Sequence, residues 1–245
     1  MSDTTLFSGP PAYVARTGWP PLAAVVATVV IMLGTLILGV YVLSLVDASE
    51  EPSNAATLAL QLGVQLAVTV LVIGAATLYG STPRKALALV PPAGGRASIV
   101  GGLFVIAVVS GAFSVIALMT RRQDIIDDLT PLWSILHTSD AWLLFLVAAI
   151  GAPLSEELVF RGFLQSALAR SPLGFWGAAL ITNTTWTALH AGYSLTGLAD
   201  VFVFGLVATW LVWRTGSLWP ALIGHAVYNG ALMIALSQIP LPASA

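Results

Sequence analysis

The sequence contains no cysteine, which removes disulfide frameworks, thiolate metal sites and thiol nucleophiles from consideration. Charge is nearly as scarce. Only 8% of the 245 residues are Asp, Glu, Lys or Arg, against about a quarter in an average soluble domain. The net charge of −2 comes with no basic run, so nothing points to nucleic acid as a partner. Three hydrolase signatures are also missing: the zinc-protease HExxH helix, the GxSxG nucleophile elbow, and the GxGD of aspartyl intramembrane proteases.

Apolar sequence fills the space that charge leaves. Hydrophobic residues make up 58% of the chain, and the mean hydropathy is +0.93. That composition describes an integral membrane protein whose partners include membrane lipid. The fold class expected is all-α, a polytopic transmembrane helical bundle. About seven spans are expected: Leu22–Val46, Ala56–Gly80, Ser98–Met119, one from Ala141, Phe175–Gly192, Leu198–Arg214 and Leu218–Gln238. The first run exceeds a signal-peptide core and reads as a retained helix. An eighth, re-entrant or interfacial element is allowed within 120–140. Residues 1–21, polar and Pro-rich, are expected to form a solvated cytoplasmic tail. Asp47–Asn54 reads as an acidic link, 22–140 as N-terminal helices and loop, 141–237 as a functional helical domain, and 238–245 as a second tail. Gly151-Ala152-Pro153 predicts a kink in the fourth span, and Asp200 a cap for the sixth.

The basic residues set an orientation. With the N-terminus in the cytoplasm, Arg16, Arg84, Lys85, Arg96, Arg170 and Arg214 share one side. Arg121 and Arg122 fall on the other, beside Asp124, Asp127 and Asp128.

Against this apolar background Glu156, Glu157 and Arg161 stand out in the fourth span. Ionisable groups in a bilayer are costly and mark a site by default. Glu157 and Arg161 are four apart and can pair, so their role reads as structural support. Glu156, about 100° away around the helix, has no partner on its own helix. Candidate partners sit on later spans: Asn183, Trp186 and His190 on one broad face, and His225 with Asn229 on another. Counting about 1.5 Å per residue from the turns puts Glu156 and His190 both roughly 22–26 Å deep, but His225 only about 13 Å. The depths reconcile if the 171–173 turn protrudes or the last helix begins inside the protein.

Such a set can hydrolyse an amide. A carboxylate and an imidazole can activate water, while a second imidazole and a carboxamide can donate to an oxyanion. Zinc is the alternative, with Glu156, His190 and His225 as its ligands. Two non-protease readings stand beside these: a catalytically silent scaffold or immunity factor, and a proton-coupled transporter, for which no internal repeat is evident.

Glu156-Glu157-Leu-Val-Phe-Arg161 resembles the EExxxR motif of the CPBP intramembrane protease family, which includes type II CAAX prenyl endopeptidases and bacteriocin-processing or immunity proteins. Trp186-Thr-Ala-Leu-His190 resembles its FxxxH motif, with Trp where Phe is usual. His225-Ala-Val-Tyr-Asn229 resembles its HxxxN/D motif. The resemblance covers about Ala141–Ser237. It implies an intramembrane endopeptidase of a bacterial plasma membrane, acting on a protein or peptide, lipid-modified in the family's best-known case. It further implies Glu156 as general base, His190 polarising the water, and His225 and Asn229 as oxyanion hole. Glu157 and Arg161 would brace the site, with Trp186 supporting it. No cofactor is expected on this reading, since Asn229 suits an oxyanion better than a metal.

Overall fold

The computed structural model describes residues 6–45, 53–80 and 82–240. Most of the acidic link and the last five residues lie outside these. Among the described residues all regular structure is helical: α1 Pro21–Ser44, α2 Asn54–Ala75, α3 Gly95–Thr120, α4 Arg122–Leu136, α5 Ala141–Leu168, α6 Gly174–Ala188, α7 Leu195–Thr215 and α8 Trp219–Gln238. A four-residue helical turn, Pro83–Ala86, lies between α2 and α3.

Local chemistry sets the boundaries. Pro21 opens α1, where its missing N–H costs nothing. The Ser53 hydroxyl accepts from Ala56 N to cap α2, and Ser194 does the same for α7 from Gly197 N. Gly216, at φ 62°, stops α7 in the left-handed region. Asp200 is therefore not a cap. It lies inside α7 and accepts a hydrogen bond from Tyr228 on α8 at 3.0 Å.

Among the described residues six helices are long and apolar enough to cross a bilayer: α1, α2, α3, α5, α7 and α8. The fifth expected span exists as α6 but is 15 residues long, about 22 Å, less than a hydrocarbon core of about 30 Å. It rises beside α5 only as far as the site and hands over to α7 through His190–Ser194. The 120–140 segment holds α4, an amphipathic helix. Its Asp128 accepts from the backbone N–H and hydroxyl of Ser194, both at 2.7 Å, and Asp124 accepts from Thr196 at 2.6 Å. These bonds fasten α4 across the start of α7.

At the opposite end the basic residues gather. Arg214 donates to the carbonyls of Leu6, Ser8 and Gly9, and Arg170 to those of Thr17 and Trp19. The 6–20 segment is thus a strap packed on the bundle, with Leu6 and Trp19 buried, and not a solvated tail. Two arginines that satisfy five carbonyls override its weak local propensity. The 87–93 loop joins the same end through Ala93 N to Thr215 O and Leu218 N to Ala88 O.

α5 is the central helix. Every residue from Glu157 to Leu168 is buried. Around Pro153 it widens, with π-helical stretches at Leu146–Gly151 and Glu157–Leu164, a form found mostly as short bulges at functional sites.

Candidate active site

The widened helix follows from bond accounting. Ala152 N–H bonds back five residues to Val147 O, so the next carbonyl, Ala148 O, would look to residue 153. That residue is Pro and has no N–H. Asn229 of α8 supplies the missing donor, its amide Nδ2 lying 2.7 Å from Ala148 O. One amide hydrogen of this expected oxyanion donor therefore braces α5, and one is left for other work.

Five residues on, Glu157 is fully buried and acts as a hub. Its Oε1 accepts from Arg161 Nη1 at 3.1 Å and from His225 Nδ1 at 2.9 Å. Arg161 also donates to Asn183 Oδ1 at 3.2 Å, and its guanidinium lies over the Trp186 ring, 4.1 Å from the centroid. Asn183 completes the chain by donating to Phe202 O. Room for the Arg161–Asn183 pair exists because Gly205 of α7 has no Cβ, which would otherwise collide with both side chains. The sequence reading gave Glu157 one partner. The second, His225, shows that the last helix does begin inside the protein: Ser217 and Leu218, just before it, are completely buried. That resolves the depth discrepancy.

Glu156 points elsewhere, as its phase on the helix requires. It is half-buried, and its Oε2 accepts from the Trp186 indole Nε1 at 2.7 Å. The partner absent from its own helix is thus an aromatic N–H on α6. Trp186 is also the hinge of the histidine positions. His190 Nδ1 lies 3.0 Å from Trp186 O. A carbonyl only accepts, so Nδ1 carries a proton and Nε2 of the neutral ring is an acceptor. The His190 and His225 rings lie 5.1 and 5.8 Å from the indole. One tryptophan therefore touches the acid, both imidazoles and the arginine.

Glu156, His190, His225 and Asn229 all line one cavity of about 1490 Å³. Its other walls come from α1, α2, the end of α3, α4, the first half of α7 and the far half of α8. None comes from the 6–20 strap, the 83–94 segment, Arg170 or Arg214.

Tyr193, in the link from α6 to α7, also lines the cavity. Burial, with the Asp128 and Glu156 carboxylates near it, raises its phenol above the usual value, so it is a hydrogen-bond donor at neutral pH. Sequence reading passed over it because a lone loop tyrosine carries no pattern.

The zinc alternative required Glu156, His190 and His225 to converge as ligands. Among the described residues no three His, Asp or Glu side chains are grouped to hold a metal ion. Each imidazole commits its Nδ1 to a protein oxygen, His225 to Glu157 and His190 to the Trp186 carbonyl, and Glu156 accepts from the indole N–H.

Residues 138–231 match the family model described as type II CAAX prenyl endopeptidase Rce1-like. A curated Escherichia coli protein, named as an uncharacterized 24.3 kDa protein, is 35% identical over 92 residues, 37% of this chain and 42% of that protein. The chain thus spans less than half the length of this relative. No solved structure matches.

Proposed function

We propose, from the premise that residues 138–231 belong with the type II CAAX prenyl endopeptidase family, that the chain is an intramembrane endopeptidase using water activated by Glu156. One observation carries this reading. A half-buried carboxylate in a membrane helix is held by a tryptophan N–H at the wall of a large apolar cavity, with two imidazoles against the same indole. A purely structural acid would be fully buried against a cation, as Glu157 is against Arg161.

The roles follow from the bonds. Glu156 Oε2 is oriented by Trp186, and Oε1 accepts the proton of a water. His190 Nε2 accepts the water's other hydrogen and sets its direction. The water oxygen attacks the scissile carbonyl, and the oxyanion is stabilised by the His225 ring and the second amide hydrogen of Asn229. Glu157 balances positive charge on His225 as it donates. The C–N bond then breaks, Glu156 returns its proton to the leaving nitrogen, and a carboxylic acid and an amine result. No metal enters this scheme; elemental analysis of the pure protein, with cleavage unaffected by a chelator, is the expected result. The basic end faces the cytoplasm, and substrate reaches the cavity from that side or laterally from lipid. The substrate is a protein or peptide segment, lipid-modified or simply apolar.

The test compares peptide termini in membranes carrying the wild-type chain or Glu156→Gln. New termini that depend on Glu156 support the assignment. Identical termini, together with a phenotype fully restored by Glu156→Gln, would make the chain a non-catalytic scaffold.

A further inference from the structure

The α2 helix carries polar residues that neither the bundle's packing nor the proposed chemistry uses. Asn54, Thr57, Gln61 and Gln65 all line the cavity. Steps of four along a helix drift only about 40° each, so Thr57, Gln61 and Gln65 form one rail. The stripe starts near α4 and ends beside the site helix: Gly151 leaves the space that Gln65 Oε1 occupies, since a Cβ there would collide with it. That oxygen is buried and has no hydrogen-bond partner. An unsatisfied buried carboxamide oxygen costs about 1–3 kcal/mol, and four polar side chains along one face of a membrane helix need a partner of their own.

We infer that this rail binds the main chain of an extended substrate segment, guiding it along α2 toward Glu156. Three observations select that ligand. A carboxamide both donates and accepts, which matches the alternating N–H and C=O of a peptide. Successive rail residues are about 6 Å apart along the helix, close to the roughly 6.8 Å between same-facing groups of an extended chain. An acyl or prenyl tail, by contrast, offers Gln65 no donor and would leave it unsatisfied. Any lipid modification would then lie against the apolar walls from α1 and α8, while the rail reads the backbone. The arrangement resembles strand addition in that main-chain bonds give affinity irrespective of sequence. The inference rests on the peptide-substrate reading of the same cavity, but not on turnover.

The experiment uses the full chain with Glu156→Gln, reconstituted in lipid nanodiscs, and a fluorescent ten-residue Leu/Ala peptide with lysines at both ends. Anisotropy titration is compared with the same peptide N-methylated at alternate residues, which deletes N–H donors and keeps the side chains. The unmethylated peptide should bind at least tenfold more tightly, and Gln61→Leu/Gln65→Leu should abolish that preference. Gln65→Asn, which keeps the amide, should retain part of it, and size-exclusion profiles verify that each variant is folded. Equal binding of the two peptides, no binding of either, or a double variant that preserves the preference would overturn the inference. So would farnesol or palmitate binding that depends on the glutamines. Because the probe is only bound, a chain without protease activity can still pass, and an active protease can still fail.

Discussion

Replacing Trp186 by Phe isolates the one bond that orients the proposed base. The change removes Nε1, which lies 2.7 Å from Glu156 Oε2, and keeps an aromatic face under the Arg161 guanidinium, now 4.1 Å from the ring centroid. Hydrogen bonds to charged groups are worth about 1.5–3 kcal/mol. At about 1.4 kcal/mol per tenfold, full loss in the transition state corresponds to roughly 10- to 150-fold. Part returns because solvent in the cavity can hydrate the freed oxygen, so a loss of about tenfold in kcat is expected. KM should stay within about twofold, since no substrate contact is removed. Melting temperature should also hold, because the ring still fills its place; Trp186→Ala would instead lose about 3–5 kcal/mol of packing. The assay is single-turnover cleavage of a substrate found by terminal proteomics, with thermal unfolding alongside. Unchanged kcat in a folded Phe variant would refute the claim that the indole positions Glu156. A fall in kcat with a matching fall in stability would refute it too, by reducing the effect to folding.

Further expectations test other parts of the site. His190→Ala should lower kcat about a hundredfold, the usual scale for removing an aligned catalytic group, with little change in thermal stability, since the ring is only half-buried. Arg161→Ala leaves the fully buried Glu157 without its cation and should destabilise the fold by about 3–5 kcal/mol; Arg161→Ala combined with Glu157→Ala should be less damaging than the single change, read by melting in detergent. Gly205→Ala places a methyl on the Arg161–Asn183 pair and should cost about 1–3 kcal/mol, measured the same way. Asn229→Leu should reduce both activity and stability, because it removes a donor from the cavity and strands Ala148 O. A catalytic change alone would show that the brace is dispensable.

Much of this site was legible because membrane sequence is quiet. Acids and imidazoles in apolar runs announce themselves, and helical spacing already separates the faces of Glu156 and Glu157. Their partners were less accessible. Glu157 with Arg161 is local and follows from a step of four, whereas His225 reaches Glu157 across 68 positions, and counting residues from turns put it at the wrong depth. The count assumed that each turn marks the membrane surface; the buried Ser217 and Leu218 show that this one does not. The short α6 escaped for the opposite reason. No proline follows Ala188 and the next break is Gly192, so sequence alone extends the span beyond where the helix stops.

Pro153 shows most clearly what sequence patterns leave out. As a local rule it predicts a lost hydrogen bond, but it does not predict that a residue 76 positions away offers the donor that proline lacks. The helix widens and stays continuous, and the same bond ties α8, which carries His225, to the helix that carries Glu156. A side chain expected only to meet an oxyanion thus also ties the helix of the proposed base to that of the proposed oxyanion hole. The α2 glutamines make the converse point. Their spacing was present in the sequence, yet without a cavity beside them Thr57, Gln61 and Gln65 are only polar letters in an apolar run. A polar stripe on a membrane helix acquires meaning from what faces it: the open space lies on the side where the buried Gln65 oxygen still lacks a donor, and a peptide's N–H is the group best shaped to supply it.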